Sequence, residues 1–79
     1  MSERQNLGRF MYAETLGDLW EIHNTRDPSW PLGHVRWYPA WKQYVFSADN
    51  LCVFSADCLA EITAFLGRLN EERKEDGRD

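Results

Sequence analysis

The stretch Ser55-Ala-Asp-Cys-Leu-Ala-Glu-Ile-Thr-Ala-Phe-Leu-Gly-Arg-Leu69 decides the fold. Ser55 stands where a hydroxyl accepts from an orphan N–H of a first helical turn, and Asp57 places negative charge at the positive end of the helix dipole. Leu59, Ile62, Phe65, Leu66 and Leu69 then recur at helical spacing and make one apolar stripe. Ala56, Ala60 and Ala64 flank the stripe and permit close approach to a sheet. Glu61, Arg68 and Glu72 are expected to face water. Gly67 costs about 1 kcal/mol against alanine in a helix interior. It marks either close packing or a helix that loosens from there. Residues 71–79 are charged apart from one glycine and read as a solvated tail.

A helix with a single apolar stripe has to bury it against another layer, and the residues before it supply strands. Leu19-Trp-Glu-Ile-His23 alternates, with Trp20 and Ile22 on one face and Glu21 and His23 on the other. Asn24 to Ser29 is turn chemistry. Leu32 to Tyr38 is the next strand, with Val35 and Trp37 opposite His34, Arg36 and Tyr38. Pro39-Ala40 interrupts it, since proline cannot donate to a ladder, and Trp41 to Phe46 returns as the second arm of a hairpin. Arg9 to Ala13 is apolar but short, an edge strand or part of a helical turn, and is read as a strand, before a turn at Leu16-Gly17-Asp18. Ser47 to Asn50 is a turn, and Leu51-Cys-Val-Phe54 reads as a short buried strand. The expectation is an α+β domain over residues 9–70: an antiparallel sheet of three to four short strands with one C-terminal helix packed on one face. Residues 1–8 are expected to be a flexible arm. The helix residues Leu59, Ile62, Phe65 and Leu69 should meet Trp20, Ile22, Val35 and Trp37.

The chain has 79 residues, and one of that size buries only about 60–65% of its unfolded surface. Its two cysteines, Cys52 and Cys58, are expected to be free thiols of a reducing compartment, because the N-terminal residues lack the apolar core of a secretory signal. No apolar run approaches a membrane span. Aromatic mass replaces the missing staples: four Trp, three Tyr and four Phe exceed what so small a core hides. The surplus is either exposed, as interface anchors are, or half-buried along the rim of the sheet. A formal charge of −4 disfavours duplex DNA, whose binding depends on neutralising many phosphates.

No catalytic constellation appears. Nucleophile-elbow, Walker and dinucleotide glycine patterns are missing. His23, His34, Cys52 and Cys58 lack the spacings with which one turn grips zinc. No cofactor, metal or enzymatic activity is therefore expected. The binding candidates are Arg36, Tyr38, Trp41 and Lys42 on the hairpin, where cations interleave with aromatics, together with Trp30. Pro28 and Pro31 stiffen the loop that carries Trp30, so its indole is either packed under the sheet or presented to a partner. Arg, Tyr and Trp are the types enriched at protein-interface hot spots, and a basic, aromatic sheet face also stacks single-stranded bases.

The stretch Gly33-His-Val-Arg-Trp-Tyr-Pro-Ala-Trp-Lys-Gln-Tyr-Val-Phe46, followed by Val53-Phe-Ser-Ala-Asp-Cys-Leu59 and then by Ile62 and Phe65, resembles small uncharacterised proteins encoded by bacteriophages and prophages. The resemblance spans residues 19–69. It implies a host bacterial cytoplasm and, by analogy of origin and size, a protein that binds and blocks host machinery such as a CRISPR effector complex. The sequence therefore points to a non-enzymatic module for a host protein or protein complex. A single-stranded nucleic-acid-binding module using the hairpin face is the alternative, and a homodimer is a further way to cover the aromatic surplus.

Overall fold

A computed structural model describes residues 3–49 and 52–75. Five strands follow one another as an antiparallel meander: β1 (Arg4–Asn6), β2 (Met11–Leu16), β3 (Leu19–Asn24), β4 (Pro31–Tyr38) and β5 (Gln43–Ala48). Among the described residues one helix, α1 (Ala56–Glu75), follows the strands. The class is the expected α+β with a C-terminal helix, but the sheet has five strands rather than three to four.

The extra strand lies in the segment expected to be a flexible arm. Arg4, Gln5 and Asn6 have no apolar alternation to betray a strand. They become one by pairing with Glu14, Ala13 and Tyr12 on the free edge of β2. Leu7, directly after it, is buried in the core. The first strand of the sequence reading also shifts, from residues 9–13 to Met11–Leu16. Gly17 and Asp18 join Leu16 to its partner Leu19. Gly17 takes φ +65° at the first turn position, the sign that a tight hairpin turn asks of glycine there.

Strand pleating sorts the side chains. Met11, Ala13, Trp20, Ile22, Val35, Tyr44 and Phe46 look inward, and the helix covers them with Cys58, Ile62, Phe65, Leu66 and Leu69. Phe65 is fully buried and meets Trp20 edge to face, with ring centroids 5.2 Å apart. The helix thus docks on the predicted sheet face, with its phase turned by a fraction of a turn. Leu59, expected in the stripe, is 48% exposed, and Cys58 packs in its place. Glu61, expected in water, is half-buried with its carboxylate against Gly8. Gly67 faces open space, so close packing does not account for it.

Ser55 caps the helix as expected, its Oγ accepting from the Cys58 N–H at 3.2 Å. Residues 52–54 form no strand: Val53 is 90% exposed, and Phe54 meets Phe46 edge to face, with centroids 5.3 Å apart. Leu51, the first residue of that expected strand, lies outside the described residues. At its other end the helix runs on to Glu75, through the first five residues of the expected tail. There the Asn70 Oδ1 accepts the Tyr44 N–H at 2.8 Å, tying the helix to β5 and satisfying a donor on an edge strand.

Candidate functional site

The helix covers one face of the sheet and leaves the other open. Two clusters occupy the open face. The first is polar and crosses the strands. Arg4 lies over the Tyr12 ring at 4.2 Å, and Tyr12 stacks nearly parallel on His23, with centroids 5.3 Å apart. The His23 Nε2 meets the Glu21 Oε1 at 3.0 Å, and its Nδ1 meets the Pro28 carbonyl at 3.1 Å. Both ring nitrogens therefore face oxygen atoms. Glu21 also approaches the His34 Nε2 at 3.7 Å, and the His34 Nδ1 lies 3.4 Å from Asp49. This chain of contacts links β1 to the end of β5 across a face that, among the described residues, has no second apolar layer. His23 is 8% exposed, far more enclosed than an outward strand residue need be. The described residues contain no group of three His, Cys, Asp or Glu able to hold a metal ion, and Cys52 and Cys58 are free thiols.

The second cluster sits at the end of the β4–β5 hairpin and is built from sequence-predicted residues. Arg36 and Tyr38 share the outer face of β4, and the guanidinium lies 5.4 Å from the Tyr38 ring centre. Tyr38 meets Trp41 edge to face at 4.9 Å. The turn that positions Trp41 is local chemistry. Pro39 stands after Tyr38, whose carbonyl accepts the Trp41 N–H at 3.1 Å, and Lys42 closes the loop with φ +51°. Lys42 is the only described residue other than glycine with positive φ. Trp41 is 65% exposed.

Four of the five predicted residues, Arg36, Tyr38, Trp41 and Lys42, thus lie together. Trp30 does not join them. It stands on the β3–β4 loop, at the opposite end of the meander, and is 76% exposed, which rules out packing under the sheet.

Behind Trp41, between the hairpin turn and the last turns of α1, lies a cleft of about 480 Å³. Trp37, Trp41, Lys42 and Gln43 line its strand side, and Asn70, Arg73 and Lys74 its helix side. The Arg73 guanidinium lies 3.7 Å over the Trp37 ring, whose edge meets Tyr44 at 5.4 Å. The helix side is not legible in the sequence, because residues 71–79 read as a solvated tail. The missed signal was the spacing of Asn70, Arg73 and Lys74, which share one helix face if the helix continues.

The chain is similar to an uncharacterised 9.3 kDa protein of Acholeplasma phage L2. The two are 36% identical over 50 residues, which cover 63% of this chain and 64% of the phage protein. This supports a small phage-encoded protein. No protein-family model matches the chain, and no solved structure matches it. Within the described residues no helix is long and apolar enough to cross a membrane.

Proposed function

We propose that the protein is a non-enzymatic, phage-type interaction module that binds a host protein or protein complex in the host cytoplasm and inhibits or modulates it, a defence complex of the CRISPR kind being the target class its origin suggests. The observation that carries this reading is the contiguous Arg36–Tyr38–Trp41 contact on the uncovered face of the sheet. These are the three side-chain types that dominate interface hot spots, and Tyr and Trp offer large area at low cost in rotamer entropy. Here two of them are held in place by a proline turn and a strand, so little further ordering is needed on binding. The chain's net charge of −4 leaves room for a partner with a basic surface elsewhere in the contact.

The test is affinity capture from host lysates with the wild-type chain beside Arg36→Ala and Trp41→Ala. Both residues lie outside the core, so melting temperatures should stay near wild type. The expected result is a stoichiometric protein partner retained by the wild type and lost by both variants. A partner kept by both variants, or none in any of several hosts, would overturn the reading. Recovery of single-stranded nucleic acid in place of protein would move the function to the alternative class.

A further inference from the structure

We infer that the cleft between the β4–β5 turn and the end of α1 is a binding site for a nucleoside phosphate, with the base against Trp41 and the phosphates toward Lys42 and Lys74. This goes beyond the protein-binding reading, which rests on the outer face of the hairpin and would survive its failure.

Charge is the first argument. The chain carries nine Lys and Arg against thirteen Asp and Glu, yet among the described residues the cleft is lined by Lys42, Arg73 and Lys74 and by no carboxylate. Complementing the helix dipole accounts for basic residues in the last turn of α1, where Arg73 and Lys74 stand. It does not account for Lys42, which reaches the same cleft from a different element.

Backbone conformation is the second. The hairpin turn places Lys42 at φ +51°, where glycine or asparagine sits at least cost. Nothing in the turn asks for a lysine there. A side chain kept at an unfavourable backbone position, and lining a cleft, is the form in which strain accompanies function.

The third argument is the kind of surface between the cations. Two indoles line the cleft. Trp37 is already covered by Arg73, so Trp41, exposed and braced by Tyr38, is the ring available to stack on a base. Gln43 and Asn70 add amides suited to base edges, and Asn70 is oriented because its Oδ1 is engaged by the Tyr44 N–H. A volume of about 480 Å³ lies within the usual range for small-molecule sites. Inorganic phosphate would leave the indoles unused, and a neutral aromatic would leave the cations unused.

The same chemistry is offered by a free nucleotide and by the phosphorylated end of a single strand, and calorimetric titration separates them. The probes are adenosine 5′-triphosphate, a 5′-phosphorylated tetranucleotide, adenosine and inorganic triphosphate. One of the first two should bind saturably, and the tighter of them names the source, with adenosine and triphosphate alone much weaker. Trp41→Ala and Lys42→Gly should each weaken that binding about tenfold or more, the effect of losing one stacked base or one phosphate contact. Lys42→Gly relaxes the backbone, so its melting temperature should rise or hold while affinity falls, which separates lost contact from lost fold. Arg26→Gln, which removes equal charge from the opposite end of the sheet, should leave affinity unchanged. The inference is overturned if no probe binds at millimolar concentration, if triphosphate binds as tightly as the nucleotide, or if Arg26→Gln weakens binding as much as Lys42→Gly.

Discussion

At the scale of single residues, Gly33 shows how a strand position is decided by what lies beside it. It is buried in β4, opposite Ala48 on β5. A β-carbon there would run into the Ser47 carbonyl oxygen and the Phe46 ring. The carbonyl is backbone and cannot yield without shifting β5, so Gly33→Ala should destabilise the fold by about 1–3 kcal/mol, the usual range for overpacking. Thermal melting of the variant checks this, and a melting temperature equal to wild type would mean that the β4–β5 approach is looser than described. His23 teaches the complementary lesson. Its place on the outer face was readable from alternation. Its enclosure by Tyr12, Glu21 and the Pro28 carbonyl was not, because those groups come from a neighbouring strand, its own strand and the following loop.

At the scale of the element, the helix is where sequence and structure meet most closely. The Ser55 cap, Asp57 in the first turn and the burial of Ile62, Phe65 and Leu69 follow from local rules. What local rules left open was how far the helix runs and which flank of the stripe is wettest. The helix reaches Glu75 because its end is held, by the Tyr44–Asn70 hydrogen bond and by Arg73 on Trp37. Gly67 lies inside that span with nothing near its would-be β-carbon. Gly67→Ala should therefore stabilise the protein by about 1 kcal/mol through helix propensity alone. A higher denaturation midpoint with an unchanged slope is the expected signature. A loss of stability would show that the glycine has a packing role the structure does not reveal.

At the scale of the whole molecule, a single apolar layer carries the fold. The core residues converge on Phe65, which contacts the sheet through Trp20 and is fully buried. Phe65→Ala should cost about 3–5 kcal/mol. For a domain whose total stability is typically about 5–15 kcal/mol, that loss should bring the midpoint down steeply in urea or on heating. An unchanged midpoint would mean that the helix stripe is an interface rather than a core. The open face cannot take over this role, because its contacts are ionic and aromatic pairs near solvent, and such pairs contribute little each.

The α+β class, the strands around Trp20–Ile22 and Val35–Trp37, the capped helix and the residue types of the hairpin cluster were legible in the chain itself. Each depends on alternation, helical spacing or turn chemistry, interactions between residues close in sequence. Tertiary structure decided the rest. Arg4–Asn6 became a strand because β2 offered an unpaired edge, although no local preference asked for it. Residues 52–54 lost their expected strand because Phe54 found Phe46 while Val53 turned to solvent. Trp30 was separated from Trp41 because successive turns of a meander fall at opposite ends of the sheet. The cleft exists only where residues 37–43 meet residues 70–74, two segments distant in the chain whose apposition depends on how the helix docks. Side chains brought together across such a distance leave no periodicity in either segment, so the sequence could name the aromatic and basic groups but could not place them around one cavity.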